Sequence, residues 1–358
     1  MEVVLVKWRR HTTKLNSLVS IYANRQGIAI AYRTRISPTP EFRFCEYFSC
    51  SSEEQEEKLT AVISQRLLQG TECHYLLDPQ EYRLLLLDAP NVPEDEMPSA
   101  ARWLVKDLID FPINDASVET FPVPVRSGQS PKIYVVVCRQ NRLVEIVEMM
   151  KVTGLKLVKI DIPELAMRNV LSWCPEVTQG VALLSLGKKF ANLMIVRDDL
   201  IYLSRPIDEN PVETAIGEEE IVDSPKIIPE EENRLEISRH GRVIMSESTS
   251  EVKSSSRIDS EMSHLSIPNL VLEIQRSLDY YQSQMGQQPP ASLYIAPSLN
   301  VEDSLLGELS RAFSFSVKML DINEFISFTS PLEYEKQTQC ILAIGGGTAT
   351  RKNEESKI

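Results

Sequence analysis

Residues 181–207 read VALLSLGKKFANLMIVRDDLIYLSRPI. Three short apolar runs in this stretch are separated by two turn signals, Gly187-Lys188-Lys189 and Asp198-Asp199. This alternation of apolar runs and turns predicts three consecutive strands, a β-meander. Glycine permits a positive φ at the first turn, and the two lysines after it would face any bound anion. Solvated turn lysines are the simpler interpretation, so the stretch predicts a sheet and raises the question of a ligand.

The rest of the composition is that of an acidic globular protein. The chain has 358 residues, enough for two domains with separate cores, and 42% of them are hydrophobic. Its formal net charge of -13 argues against a nucleic-acid partner, which requires a basic surface. No apolar run reaches the length of about 18 residues that a membrane span needs, and the first ten residues lack a signal-peptide core. We therefore expect a cytoplasmic protein.

Cysteine and histidine usage predicts neither disulfides nor a metal site. The six cysteines are scattered without a CxxC pair, and the four histidines show no ligand spacing. We expect free thiols in a reducing compartment and no bound metal.

A second meander starts near Leu18 and leads into alternating helices and strands. Apolar spacing predicts a hairpin and a third strand by residue 48, then a helix at 53–68 and a strand at 73–77. Further along, it predicts helices at 99–109, 141–152 and 163–173 and strands at 117–125, 133–138 and 155–160. Such an alternation indicates a mixed or parallel sheet covered by helices.

The pattern changes after the meander at 181–207. Residues 208–264 are rich in acidic residues and serine, and we predict a mostly disordered insertion there. Helices at 268–286 and 301–313 and strands at 292–296 and 315–320 follow. The last apolar segment ends in Gly345-Gly346-Gly347, which matches no Walker pattern and which we predict to be a flexible end.

Each half thus has a meander followed by helix-strand units, a duplication characteristic of the actin-like ATPase architecture. Local motifs resemble those of the PilM family of type IV pilus assembly proteins. They span nearly the whole chain outside the insertion: Val92 to Glu96 with Arg102-Trp103 and Phe111-Pro112, residues 160–166, Arg197 to Leu200, Glu273 to Tyr281, and Ala343 to Gly345.

The resemblance implies an α/β protein with mixed sheets and an actin-like ATPase fold, that is, two ribonuclease H-like domains. The first domain would cover 1–175 with an inserted subdomain at about 84–132. The second would cover 176–345, and 346–358 would be a flexible tail. The resemblance also implies a place at the cytoplasmic face of the inner membrane, without a transmembrane segment. There the protein would dock the tail of a PilN-type membrane protein and meet other pilus platform proteins.

In that family a nucleotide sits between the halves, and the loops that would hold it are altered here. Where the family has Asp-Ile-Gly in the first loop, this chain has Tyr22-Ala23-Asn24. The second loop reads Ser185-Leu186-Gly187, and Ala296 stands where an adenosine-side glycine is expected. Two carboxylates that would position Mg²⁺ and the attacking water are therefore absent.

We accordingly predict a degenerate nucleotide cleft and no ATP hydrolysis. Its residues are Tyr22, Asn24, Ser185, Gly187, Lys188 and Ala296. Weak binding of ATP and Mg²⁺ without turnover stays open, because Gly187 and the adjacent lysines would still suit a phosphate.

The inserted subdomain is the expected place for a partner. The resemblance suggests a peptide groove built from Arg102, Trp103, Leu108 and Phe111, although aromatic residues at helical spacing also commonly fill a core. Three functions remain open. They are a non-catalytic pilus scaffold, a cytoplasmic component of type II secretion of the GspL type, and an actin-like ATPase or small-molecule kinase with a divergent site.

Overall fold

The computed structural model describes residues 17–35, 39–126, 128–187, 191–207, 267–298 and 303–348. Their strands are β1 (Leu18–Asn24), β2 (Gly27–Arg35), β3 (Glu41–Ser49), β4 (Glu72–Leu76), β5 (Tyr82–Asp88), β6 (Ala116–Val123), β7 (Lys132–Arg139), β8 (Lys156–Asp161), β9 (Val181–Leu186), β10 (Ala191–Arg197), β11 (Leu200–Ile207), β12 (Ser292–Ile295), β13 (Ser316–Met319) and β14 (Ser327–Phe328). Their helices are α1 (Gln55–Gln65), α2 (Met97–Leu104), α3 (Gln140–Thr153), α4 (Pro163–Leu171), α5 (Ile267–Met285), α6 (Asp303–Ala312) and α7 (Tyr334–Gly347).

Two stretches singled out in the sequence fall outside these ranges. They are the predicted insertion at 208–264 and Lys188 with its neighbour Lys189. Within the described ranges, no helix combines the length and the apolarity needed to cross a membrane.

The first sheet has the order β14-β3-β2-β1-β4-β8. Strands β1, β2 and β3 are antiparallel neighbours, as the apolar alternation near Leu18 predicts. Strands β4 and β8 run parallel to β1, and parallel neighbours require long crossovers, which α1 and α3 provide. Helix α3 ends where Gly154 adopts a φ of 78°, a left-handed conformation that glycine accepts readily.

The second sheet repeats this arrangement in the order β11-β10-β9-β12-β13. The predicted meander at 181–207 is confirmed, because β9, β10 and β11 pair antiparallel in sequence. Strands β12 and β13 then add in parallel, as β4 and β8 do in the first sheet. The matching strand orders show two copies of one topology, and the expected duplicated α/β architecture is present.

A third sheet, of order β5-β7-β6, carries α2 and has an apolar core of its own. It runs from Tyr82 to Arg139 and is therefore wider than the subdomain expected at 84–132. The difference arises at β7, which pairs antiparallel with β5 and β6. Periodicity identified this strand correctly but could not show which sheet it joins.

Helix α7 corrects two expectations about the end of the chain. Gly346 and Gly347, assigned to a flexible tail, are helical and buried. The helix packs on α4 and on strands β1, β2, β3 and β4, so the chain returns to the first sheet instead of ending within the second. Residues 349–358 of the predicted tail lie outside the described residues.

Candidate functional site

Asn24 closes the turn between β1 and β2. Its Oδ1 atom accepts hydrogen bonds from the backbone N–H groups of Gln26 at 2.9 Å and Gly27 at 3.1 Å. Its carbonyl accepts a third hydrogen bond, at 2.6 Å, from Nε2 of Gln55. Asparagine side chains in turns commonly accept hydrogen bonds from the backbone N–H groups that follow them, as in an Asx-turn. The Asn24 carbonyl and amide oxygens are thus occupied within the protein.

Tyr22 faces a carboxylate that the sequence analysis did not identify. Its hydroxyl donates to Oδ2 of Asp78 at 3.3 Å, and Asp78 directly follows β4 and the buried Leu77. Burial, followed by the nearby Asp78 carboxylate, raises the pKa of Tyr22 well above its ordinary value. Tyr22 is therefore a neutral hydroxyl group, which is a poor ligand for Mg²⁺.

Three further carboxylates lie at or near the same edge of the first sheet, each engaged by a donor from the protein. Oε1 of Glu81 accepts from Nε of Arg142 at 2.6 Å. Oδ2 of the buried Asp161 accepts from Nζ of Lys159, and Oε2 of Glu164 accepts from the Tyr82 hydroxyl, both at 2.5 Å. Within the described ranges, no three His, Cys, Asp or Glu side chains group as they would around a metal ion.

Topology, not a motif, brings these carboxylates together. Asp78 follows β4 and Asp161 ends β8, and both strands run parallel to β1, so their carboxyl ends meet at one edge. In open α/β sheets this edge is where ligands bind. Acidic residues directly after two predicted strands were the signal that could have identified them.

In the second sheet, Ser185 and Ala296 lie near the carboxyl ends of neighbouring strands. The Ala296 N–H donates to the carbonyl of Leu184 at 2.8 Å and so continues the pairing of β12 with β9. Ser185 is half-buried opposite Asn192 of β10, and Gly187 is exposed. The N–H group of Ala296 is therefore occupied by the sheet.

The three glycines at the end of α7 serve close packing. A Cβ added to Gly345 would overlap the carbonyl of Ala166. A Cβ added to Gly346 would overlap the side chains of Leu76 and Ser20. The final carbonyls of the helix, which a helix leaves without internal partners, are met by side chains from the first half. Asn169 Nδ2 donates to the carbonyls of Gly345 at 3.1 Å and Thr348 at 2.9 Å.

Two more side chains complete this helix end. His74 Nδ1 lies 2.8 Å from the carbonyl of Gly346, and Arg33 donates to that of Gly347. Burial, with a smaller contribution from Lys159, lowers the pKa of His74 to about 4. The imidazole is thus neutral at pH 7, and its Nδ1–H donates to Gly346. No phosphate loop is formed by these glycines.

On the third sheet, the four groove residues divide into two pairs. Trp103 and Leu108 are 76% and 53% exposed, and Leu104 beside them is 45% exposed. Arg102 instead points inward, where its guanidinium donates to the carbonyls of Ala116, at 2.9 Å, and Ile113. Phe111 is half-buried beneath the guanidinium of Arg139, 4.2 Å from its ring centre. The exposed apolar surface is therefore Trp103, Leu104 and Leu108, which we call the α2 surface.

Comparison with solved structures identifies the fold. A chain of a PilM-PilN type IV pilus biogenesis complex superposes with a TM-score of 0.60 at 16% sequence identity, covering 93% of this chain and 98% of that one. The chain has the actin-like ATPase fold, as the resemblance predicted. No protein-family model and no curated protein matches the sequence.

Two further solved structures match with TM-scores below 0.5. A Bacteroides thetaiotaomicron protein of unknown function with an actin-like ATPase fold matches at TM-score 0.43 and 8% identity, over 87% of this chain and 93% of that one. The cytoplasmic domain of EpsL, an inner-membrane component of the type II secretion system of Vibrio cholerae, matches at 0.38 and 13%, over 56% and 75%.

Proposed function

We propose that the chain is a non-catalytic scaffold of a type IV pilus assembly platform, of the MSHA type and most like MshI. It docks the cytoplasmic tail of a PilN-type inner-membrane protein and is held at the inner membrane through this and other platform proteins. The fold shared with a chain of a PilM-PilN complex supports the assignment to pilus assembly.

The observation that carries the docking role is the α2 surface. Eight large hydrophobic side chains are exposed in the described part of the chain, and three of them fall within residues 103–108. Exposed apolar side chains clustered in one short segment mark protein contacts more often than scattered ones do. Tryptophan is also among the residues that contribute most binding energy when an interface buries them.

The state of the cleft supports a role without catalysis. Asn24, Tyr22 and Ala296 each use their polar groups inside the protein, and the carboxylates at the same edge accept from Arg142, Lys159, Tyr82 and Tyr22. Binding Mg²⁺-ATP requires free carboxylate oxygens and free backbone N–H groups. Several of these carboxylate oxygens and the N–H group of Ala296 already take part in hydrogen bonds, and no cofactor is part of the proposal.

Titration of the tail tests the docking role. The N-terminal tail peptide of the PilN-type protein from the same organism should bind the full chain in isothermal titration and raise its melting temperature. Trp103→Ala should weaken binding about tenfold or more, because it removes the largest side chain of the surface. Leu272→Ala, an exposed leucine on α5 that is 48% exposed, serves as the matched control and should change nothing. Absence of heat and of a melting shift with the unaltered chain would contradict the proposal.

Two alternative functions remain testable. Asp78 follows β4 and Asp161 ends the neighbouring parallel strand β8, at the edge where open α/β sheets bind ligands, which favours an ATPase that uses residues other than the family's. Phosphate release with Mg²⁺-ATP that is lost in Asp161→Asn would establish it. A GspL-type role in type II secretion is the nearer alternative, and titration with tails from both systems separates the two.

A further inference from the structure

The α2 surface is presented on a firm support. Ala101 and Val105, on the opposite side of the segment, are fully buried against Val118 and Val135 of the third sheet. Arg102 fixes α2 by donating two hydrogen bonds, one to the carbonyl of Ile113 before β6 and one to the carbonyl of Ala116, the first residue of β6. Trp103, Leu104 and Leu108 are therefore held outward by packing and cannot fold back into this core. A surface held this way loses little conformational entropy when a partner covers it.

The segment that carries this surface is predominantly acidic. Six carboxylates between β5 and β6 are exposed: Glu94, Asp95, Glu96, Asp107, Asp110 and Asp115. The same segment has two basic residues, Arg102 and Lys106, and Arg102 is occupied by backbone carbonyls. Among the described residues, none of the six carboxylates forms an ion pair.

We infer that the α2 surface selects a peptide whose apolar side chains are flanked by lysine or arginine. This inference rests on the proposed function and specifies the partner of that same site. Unpaired carboxylates around an apolar patch attract cationic groups and repel acidic segments, so they contribute mainly to selectivity and association rate. They equally oppose phosphate-rich partners such as nucleic acids or anionic lipid surfaces.

A membrane-protein tail has the matching chemistry. Cytoplasmic segments next to a transmembrane helix carry an excess of lysine and arginine. The apolar residues of such a tail would cover Trp103, Leu104 and Leu108, while its basic residues would lie against Asp107 and Asp110. The carboxylates thereby distinguish a membrane-anchored tail from the acidic soluble segments that a cytoplasm also contains.

The test is a charge-exchange titration on the full chain. The double variant Asp107→Asn with Asp110→Asn is compared with a control, Glu56→Gln with Glu57→Gln, which neutralises two exposed carboxylates on α1. Each protein is titrated with the PilN-type tail peptide and with the same peptide in which every lysine and arginine is glutamine. Association rates are measured at low and high salt, and melting temperatures establish that both variants are folded.

The expected pattern is specific. The Asp107/Asp110 variant should bind the native tail about fivefold to tenfold more weakly, with slower association and a smaller effect of salt, whereas the control binds as the unaltered chain does. The neutral peptide should bind the unaltered chain more weakly than the native tail does, by a similar factor. It should bind the Asp107/Asp110 variant as tightly as it binds the unaltered chain. Equal affinity of both peptides, or an unchanged affinity of the variant, would overturn the inference while leaving docking intact. No binding of either peptide to the unaltered chain would overturn the proposed function and the inference together.

Discussion

At the scale of single residues, the polar groups of the turn between β1 and β2 are used within the protein. Asn24 offers its side-chain oxygen to two backbone N–H groups of its own turn, and Tyr22 donates to Asp78. An aspartate at position 22 would add a further negative charge beside Asp78 and Glu81. Tyr22, which stands where the family has the aspartate of the first loop, therefore also contributes a hydrogen bond that stabilises this loop.

His74 makes the stability of the fold depend on pH. Its pKa is lowered from 6.5 to about 4 in the folded chain, so the unfolded chain binds more protons between these values. The stabilisation is present above pH 6.5 and is lost as the pH falls toward about 4, and the shift corresponds to roughly 3 to 4 kcal/mol at most. We expect His74→Asn, whose amide can donate to the Gly346 carbonyl without titrating, to lose less stability across that range.

Urea unfolding of both proteins at pH 7 and pH 4.5 measures this difference. The carboxylates titrate equally in the two chains, so they cancel in the comparison. Identical losses of the free energy of unfolding on acidification would contradict the assignment to His74.

At the scale of elements, tertiary packing makes the end of α7 helical although its local sequence disfavours a helix. Glycine disfavours a helix interior by up to about 1 kcal/mol per residue relative to alanine. Three in succession therefore indicated a flexible end. Helix formation wins because the backbone can lie directly on Ala166, Leu76 and Ser20 and because Asn169, His74 and Arg33 cap the last carbonyls. None of these partners is near residue 345 in sequence, so a local pattern could not reveal them.

Two glycine substitutions distinguish packing from propensity. Gly345→Ala should lower the free energy of unfolding by about 2 kcal/mol or more, because its methyl group would overlap the backbone of Ala166. Gly307→Ala in α6 should raise it by up to about 1 kcal/mol, since the nearest atom to its added Cβ is Nη2 of Arg311 at 3.7 Å. Denaturant unfolding curves of the two variants measure both effects, and a stabilised Gly345→Ala would show that α7 does not pack as described.

The same contrast explains what the sequence could and could not predict. The meander at 181–207 and α5 were predictable because their apolar residues recur at strand and helix spacing within one segment. The third sheet was only partly predictable, because the apolar pattern of β7 is compatible with a place in the first sheet as well as with pairing to β5. Asp78, Asp161 and Glu164 are up to 86 residues apart, and only the parallel order of β1, β4 and β8 places them together.

At the scale of the whole molecule, the proposed function assigns different roles to the two duplicated halves and to the added subdomain. The halves share one sheet order, and polar groups near the carboxyl edge of the first sheet are used in turns, hydrogen bonds and ion pairs. The third sheet has its own core and carries the exposed α2 surface. In the proposed scaffold, recognition thus belongs to the subdomain, and the halves provide its support.

This division predicts that docking is independent of nucleotide. The most direct measurement is titration of the PilN-type tail peptide into the full chain with and without Mg²⁺-ATP, with released phosphate assayed in the same samples. We expect the same dissociation constant in both conditions and no phosphate release above that of buffer. Binding that appears only with Mg²⁺-ATP, or turnover that accompanies it, would contradict a non-catalytic scaffold.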